Sequence, residues 1–150
     1  ALGNRSILAD PRSKENKEIV NEKVKHRQWF RPFAPSVLRE HVGEWFEHDV
    51  DSPYMSVAIK WKEDKVDKVP AVVHFDNTAR LQTVTEESHT HFYELLTEFG
   101  KISETNVLLN TSFNIRGYPI LSSIHDALYA LNNTQMDYVV IDDYLFGKEK

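Results

Sequence analysis

The fold is decided by residues 92–117, which read FYELLTEFGKISETNVLLNTSFNIRG. Apolar side chains in the first part of this stretch repeat at the spacing of one helix face, at Phe92, Leu95, Leu96 and Phe99. This spacing predicts an amphipathic helix, and Gly100 is a typical stop signal for such a helix. The three apolar residues 107–109 then predict a short buried strand that runs into the polar loop 110–117.

Alternation of apolar and polar residues predicts further strands. In the segment 54–61 every second residue is apolar, which is typical of a half-buried strand. More strands are predicted at 71–75 and 79–84, joined by a turn at Asp76-Asn77, and at 138–141 and 144–146. Strands that alternate with helices along one chain predict an α/β fold, with α+β possible, built in layers.

Three further helices are predicted outside the opening stretch. The first covers 16–23, and the last begins after the capping residue Ser123. Between them, Pro35 suits a first helical turn, and Leu38, His41, Val42 and Trp45 follow it at helical spacing. The charged segment 62–68 is expected to be a loop. The polar residues 1–15, with the boundary signal Asp10-Pro11, predict a linker or the tail of a preceding domain.

Composition narrows the classes of function. The chain has 150 residues, 41% of them hydrophobic, and no cysteine, which predicts one domain without disulfides, thiolate nucleophiles or cysteine zinc sites. No apolar run is long enough for a membrane span. The net charge of -5 argues against general affinity for nucleic acid. Because Lys and Arg crowd the first forty residues, a small anionic ligand fits the charge distribution better than a polyanion, although most of these lysines are expected on solvated helix surface.

The segment 25–33 interleaves three cations, Lys25, Arg27 and Arg31, with aromatic residues and prolines. Clustered cations repel one another, so a stable cluster needs an anion or an acidic partner. One interpretation is a phosphate or carboxylate clamp, in which guanidinium groups bind two oxygens at once. The other is a basic surface whose aromatic residues turn to the core. The spacing alone favours neither.

Two more polar segments are candidates for chemistry. In 74–82, His74 and Arg80 flank a tight turn, but one imidazole and one carboxylate are a weak metal site, and both residues have plausible structural roles. In 110–117, hydroxyl and amide side chains follow a strand end, a pattern that suits binding of oxyanions or phosphates. The glycines and the Lys-Ser/Thr pair of a Walker loop are missing, and turn formation alone would also explain this segment.

Four motifs in register resemble one known family. They are ALGNRSILADPR at 1–12, NEKVKHR at 21–27 with FRPFAPSVL at 30–38, HFDNTARLQTV at 74–84, and LNTSFN at 109–114 with Arg116-Gly117 and Pro119-Ile120. The matches span nearly the whole chain. They are similar to the C-terminal, YrdC-like domain of the NodU and antibiotic O-carbamoyltransferase family. Asn77 stands where that family commonly has glycine, and Tyr118 where an acidic residue is usual, which puts the pocket rim and substrate preference in question.

The resemblance implies a YrdC-like fold, a twisted mixed sheet with flanking helices around a basic cavity. It assigns residues 1–15 to a hinge from a missing N-terminal domain and 16–150 to the domain itself. The domain would bind carbamoyl phosphate and ATP, with Mg, and form carbamoyl-adenylate. The missing N-terminal domain, actin-like and metal-bearing, would pass the carbamoyl group to a hydroxyl of a sugar or natural product. A cytoplasmic transferase without membrane or nucleic-acid partners is the resulting expectation.

The resemblance also assigns roles to residues, and it places no metal ligand in this chain. The candidate catalytic cations are Lys25, Arg31 and Arg80. The candidate substrate and nucleotide contacts are Arg27, His74, Thr111, Ser112, Asn114 and Arg116. Two alternatives stay open: a stand-alone threonylcarbamoyl-adenylate synthase, against which the 30–35 block and the hinge argue, and a non-catalytic RNA-binding or regulatory module.

Overall fold

A mixed sheet of five strands organises the computed structural model, which describes residues 2–148. The strands are β1 Ser6–Ala9, β2 Ala34–Leu38, β3 Val57–Lys60, β4 Thr78–Val84 and β5 Val107–Ser112. Their order is β1-β5-β2-β4-β3; β2 and β4 run parallel, and the other neighbours are antiparallel. A separate hairpin consists of β6 Tyr138–Ile141 and β7 Tyr144–Gly147.

Helices flank the sheet, so the predicted α/β class is confirmed. They are α1 Lys14–Glu18, α2 Val42–Trp45, α3 Thr90–Ser103 and α4 Ile124–Asn133. A π-helical segment, Ile19–Val24, continues α1; 3-10 segments span Arg39–His41 and Glu63–Lys68. As predicted, Ser123 caps α4, because its hydroxyl accepts the Asp126 N–H. Within residues 2–148 no helix combines the length and the apolar character needed to cross a membrane.

The two faces of the sheet differ in what covers them. One face carries the larger core, in which Val37, Leu81 and Leu109 are fully buried. On the other face, α3 covers only one end, where the strands β2 and β4 finish. The cluster beneath α3 consists of Leu38, Val84, Leu108, Phe92 and Leu96. The rest of that face is therefore left for polar side chains.

A buried hydrogen-bonded network fills the middle of this second face. The Ser36 hydroxyl donates to Gln82 Oε1 at 2.6 Å, and the Asn110 side-chain amide donates to both Ser36 Oγ and Gln82 Oε1 at 2.9 and 2.8 Å. All three side chains are at most 4% exposed. These buried hydrogen bonds tie β2, β4 and β5 together, although Asn110 Oδ1 accepts no hydrogen bond among the described residues.

The prediction of a helix beginning at Pro35 is wrong at its start. Residues 34–38 form the central strand β2, all of them buried, and helical structure begins only at Arg39. Two neighbouring strands supply hydrogen-bond partners for β2, and this tertiary pairing outweighs the helical spacing. Pro35 is tolerated because pairing with β4 begins one residue later, at Ser36.

The predicted strand at 71–75 is also wrong. Ala71 and Val72 are buried in the core as part of a turn, and their N–H groups bond to the carbonyls of Pro11 and Val69. These apolar residues therefore fix a loop to the core and do not form a strand. The turn at Asp76-Asn77 is confirmed, with the Asn77 N–H bonded to the His74 carbonyl. The strand predicted at 79–84 is confirmed as β4.

Gly100 does not stop its helix. The helix α3 continues to Ser103, and the left-handed residue Glu104 follows it. Gly100 is buried inside α3, where a Cβ would collide with the Asn106 side chain, so close packing explains the glycine.

The remaining differences concern element boundaries. The segment expected as a linker, 1–15, contains the edge strand β1, which pairs with β5 through Ser6 to Ala9. The strand predicted at 54–61 shortens to β3, and the expected charged loop 62–68 is largely 3-10 helix. The helix predicted at 16–23 and the strands at 107–109, 138–141 and 144–146 are confirmed within one to three residues.

Candidate functional site

The register of the sheet brings two distant motifs to one face. Ser36 lies opposite Gln82 of β4 and opposite Leu108 of β5, so these side chains point to the same side. Side chains alternate along a strand, so Arg80 and Ser112 also point to that side. The N-terminal ends of β2 and β4 and the C-terminal end of β5 meet at one edge. Arg80 and Ser112 therefore lie near this edge, on the face that α3 leaves uncovered.

Lys25 joins the cation motif to the loop after β5. Its ammonium group donates to the Ser112 carbonyl at 2.6 Å, to Asn114 Oδ1 at 2.8 Å and to the Asn114 carbonyl at 3.2 Å. Ser112 Oγ lies 3.4 Å away, and it donates to Asn114 Oδ1 at 2.6 Å. Burial, followed by the charges of Arg27 and Arg31, lowers the pKa of Lys25 to about 8. Lys25 and Ser112, which the family resemblance assigns to one site, are therefore in contact.

These contacts define what Lys25 does. An ammonium group has three N–H donors, and the acceptors of the loop occupy all of them. Lys25 therefore holds the loop in place and contributes its charge at short range. The Arg116 N–H donates to the Lys25 carbonyl at 3.1 Å, which brings the far end of the loop to the same place. The Arg116 side chain is exposed.

Arg27 and Arg31 extend the positive charge around Lys25. The Arg27 guanidinium lies 4.8 Å from the centre of the Phe33 ring, a cation–π contact. Burial, together with the charge of Arg31, lowers the pKa of Arg27 to about 10. Arg31 is exposed. In the part of the chain that the structure describes, no carboxylate lies at ion-pair distance from either arginine or from Lys25.

Asn21 is a residue that the sequence interpretation missed. It is fully buried in the π-helical segment Ile19–Val24, and its amide donates to the carbonyls of Trp29 and Arg31 at 2.9 and 3.0 Å. Its Oδ1 accepts the Arg27 Nε–H at 2.7 Å. One side chain thus shapes the loop that carries two of the cations. The only signal in the sequence is its place in the NEKVKHR motif.

Replacing Asn21 with Ala should lower the free energy of unfolding by about 1–3 kcal/mol, because it removes a fully buried amide that makes three hydrogen bonds and leaves the part-buried carbonyls of Trp29 and Arg31 without this donor. We expect the affinity for phosphate ligands to fall as well, since Arg27 loses its fixed position. Urea denaturation measures the first effect. Asn133→Ala is the matched control: among residues 2–148 its amide bonds only to the exposed Tyr129 carbonyl, so a loss of about 0.5 kcal/mol or less is expected. Equal losses in the two variants would contradict the role given to Asn21.

Two predicted site residues lie apart from this cluster. Thr111 alternates with Ser112, so its side chain points to the other face of the sheet, beside Ile7 of β1. His74 lies before β4, where its Nδ1 is 3.3 Å from the Thr78 hydroxyl. Burial lowers the pKa of His74; the cations Lys17 and Arg80 add to this, and Asp76 opposes it. His74 lines a separate cavity at the same sheet edge.

The arrangement suits binding of an oxyanion. Exposed arginines, a buried ammonium group and the serine hydroxyl lie at one edge, and no carboxylate of residues 2–148 lies at ion-pair distance from these cations. Among residues 2–148, no three His, Asp or Glu side chains are grouped closely enough to hold a metal ion.

Comparisons with known proteins show which sequences this chain resembles. The sequence model of the family described as carbamoyltransferase C-terminus matches residues 1–148. The nodulation protein NolO of Bradyrhizobium diazoefficiens is 42% identical over 151 residues, covering 99% of this chain and 28% of NolO. Nodulation protein U of Rhizobium tropici is 39% identical over 150 residues, covering 100% of this chain and 25% of that protein. An uncharacterized protein of Synechocystis is 40% identical over 168 residues, covering 99% of this chain and 27% of that protein. The chain spans about a quarter of the length of these curated relatives.

Proposed function

Because this chain belongs to the carbamoyltransferase C-terminus family, we propose that it is the adenylating part of an O-carbamoyltransferase. In this proposal it binds carbamoyl phosphate and ATP, with Mg, and forms carbamoyl-adenylate. The observation that carries the proposal is the buried Lys25 ammonium, which is bonded to Ser112 and Asn114 and lies near the cations Arg27 and Arg31. Among residues 2–148 none of these cations has a carboxylate at ion-pair distance.

The chemistry needs positive charge more than it needs a nucleophile. Water cleaves carbamoyl phosphate to carbamate and phosphate; a carbamate oxygen then attacks the α-phosphorus of ATP, and the bond to pyrophosphate breaks. Both reactants are anions, and negative charge builds on the phosphoryl oxygens during attack. Fixed cations and hydroxyl donors reduce the repulsion and stabilise that charge.

We assign different tasks to the cations. The Lys25 ammonium orders the loop 112–114 through its hydrogen bonds, and it places a buried positive charge next to that loop. Arg31 and Arg80 are exposed, and they would contact phosphate oxygens directly. The Ser112 hydroxyl and the side chains of Arg27 and Arg116 would complete the site.

Two residues lie apart from this cluster. Thr111 points to the other face of the sheet and would support the loop from that face. His74 would contact the ligand from the neighbouring cavity.

The later transfer of the carbamoyl group would need more than this chain. We propose that the remaining part of the longer relatives, expected as an N-terminal actin-like domain with a bound metal ion, activates a hydroxyl of a sugar or natural product. Activation of a hydroxyl requires a base or a Lewis acid. The need for ATP and carbamoyl phosphate also supports a cytoplasmic location.

The division of labour predicts that this chain makes the adenylate but does not carbamoylate an alcohol. With ATP, Mg²⁺ and carbamoyl phosphate, mass spectrometry should detect carbamoyl-adenylate and pyrophosphate. Adding a panel of sugars should give no O-carbamoyl product. Metal-independent formation of an O-carbamoyl sugar by the 150-residue chain would contradict the proposed division and would require another mechanism.

A further inference from the structure

Three hydrogen bonds form a closed ring at the base of the segment 113–121, which lies between β5 and α4. The Phe113 N–H donates to the Arg5 carbonyl at 2.9 Å, and the Leu121 N–H donates to the Phe113 carbonyl at 2.9 Å. The Arg5 guanidinium completes the ring, because its Nη1 donates to the Leu121 carbonyl at 3.1 Å. Arg5 therefore contacts both ends of the segment, one with its backbone and the other with its side chain.

The segment 113–121 carries two of the candidate site residues, Asn114 and Arg116. Asn114 Oδ1 accepts a hydrogen bond from the Lys25 ammonium at 2.8 Å, and the Asn114 amide donates to the Tyr118 carbonyl at 3.1 Å. The Arg116 N–H donates to the Lys25 carbonyl at 3.1 Å. The position of the segment therefore determines which groups surround Lys25.

The backbone that carries Arg5 is fixed on the sheet from both sides. Before it, the Gln82 amide of the buried network donates to the Leu2 carbonyl at 3.2 Å. Gly3 has a φ of +99° and lies so close to the Phe92 ring of α3 that a Cβ would stand 2.5 Å from a ring carbon. The strand β1 begins directly after Arg5. A side chain on a fixed backbone loses less freedom when it forms a hydrogen bond, so Arg5 is well placed to hold a loop.

The Arg5 side chain is exposed, and among residues 2–148 no carboxylate lies at ion-pair distance from it. A hydrogen bond from a charged donor is stronger than one between neutral groups, so the Leu121 carbonyl is a favourable partner. We propose that Arg5 is a positioning residue, which keeps the segment 113–121 closed and thereby holds Asn114 against Lys25. This inference rests on the proposed function and deepens it, because Arg5 would act on the anion site through the segment, without touching the ligand.

Hydrogen exchange and calorimetry with sulfate, a probe of the anion site, test this role in the wild type, Arg5→Ala and Arg5→Lys. In Arg5→Ala the segment should open more often, so the amides of 113–121 should exchange faster, and those of β4 should not change. Sulfate affinity at neutral pH should fall roughly three- to tenfold, the effect typical of one lost hydrogen bond. Lysine can still donate to the Leu121 carbonyl, so Arg5→Lys should restore most of the affinity and of the protection from exchange.

The titration of Lys25 gives a readout that a general loss of stability would not change. Its pKa is about 8 because of burial and the charges of Arg27 and Arg31, and the charge of Arg5 is not among these causes. An opened segment lets water reach the ammonium group, so the pKa should rise towards its ordinary value in Arg5→Ala. The loss of sulfate affinity with rising pH should therefore move to higher pH in this variant.

Arg12→Ala is the matched control, because Arg12 is an exposed arginine that also donates to a backbone carbonyl, that of Ser103, at the other end of β1. It should change none of these measurements. If the wild type binds sulfate and Arg5→Ala equals it in exchange and affinity, the inference is overturned and the anion site stands. Weaker binding with unchanged exchange would also overturn it, because Arg5 would then contact the anion itself. If the wild type binds neither sulfate nor carbamoyl phosphate, the proposed function fails, and this inference fails with it.

Discussion

Replacing Arg31 or Arg80 with Ala should weaken binding of carbamoyl phosphate and ATP by about 2 kcal/mol or more, roughly thirtyfold, the loss typical of a charge-assisted hydrogen-bond pair. Both side chains are exposed at the sheet edge and have no carboxylate partner among residues 2–148. Their removal should therefore change the free energy of unfolding by only about 0.5 kcal/mol.

Arg12→Ala is the matched control for these variants. Arg12 is also an exposed arginine, but Asp10 neutralises it at 2.6 Å, and it contacts the end of α3. Its replacement should leave ligand binding unchanged. Calorimetry gives the affinities, and urea denaturation without ligand gives the stabilities. If Arg31→Ala or Arg80→Ala unfolds more easily and still binds both ligands normally, these arginines have a structural role.

Replacing Lys25 with Met should have the largest effect, a loss of phosphate affinity of about 3 kcal/mol or more, roughly 150-fold. Methionine has similar length but no N–H donors, so the Ser112 carbonyl and Asn114 Oδ1 lose their shared partner. The loop then loses its fixed shape together with the charge beneath it. Lys23→Met is the matched control, because Lys23 is an exposed lysine on the same segment.

The pKa of Lys25 gives this prediction a pH dependence. In the folded chain the pKa is about 8, below its ordinary value of 10.5, mainly because of burial. Below pH 8 both folded and unfolded states carry the proton. Between about pH 8 and 10.5 the folded state releases it first, so the unfolding free energy gains a contribution that rises with pH. Anion binding shows the opposite trend, because an anion prefers the charged form.

Sulfate is a suitable probe, since it does not titrate in this range. Its affinity should fall as pH rises through 8 in the wild type, and the fall should be smaller in Lys25→Met. Parallel pH profiles for the two proteins would show that Lys25 is not the titrating group. Calorimetry at several pH values, with Lys23→Met alongside, makes the comparison.

The resemblance to a family, and not the residue pattern alone, assigned Lys25 and Ser112 to one site, because the spacing of the cations and the polar loop each left a structural interpretation open. The two residues are 87 positions apart in the sequence, and the fold brings them into contact. Asn21 could not be found in this way, since an amide in a helical segment has no distinctive chemistry until its backbone partners are known. Thr111 was grouped with Ser112, but alternation along β5 separates their side chains.

For the fold, local periodicity was reliable where it agreed with long-range pairing. The spacing in α3 and α4 and the apolar run of β5 led to the observed elements. The helix predicted for residues 35–38 was wrong because these residues pair with β4 and β5, two strands that lie far away in the sequence. The prediction that Gly100 ends its helix was wrong for a related reason. The glycine is needed for close packing against Asn106, and a local sequence rule does not distinguish this role from a helix stop.

The most direct test of the central claim is a calorimetric titration of the chain with carbamoyl phosphate, repeated with the Arg31→Ala/Arg80→Ala double variant. We expect saturable binding at one site per chain, weakened at least thirtyfold in the double variant, which corresponds to a loss of about 2 kcal/mol or more. Equal binding by the two proteins, or no binding by the wild type, would contradict the claim that this sheet edge is a phosphate site.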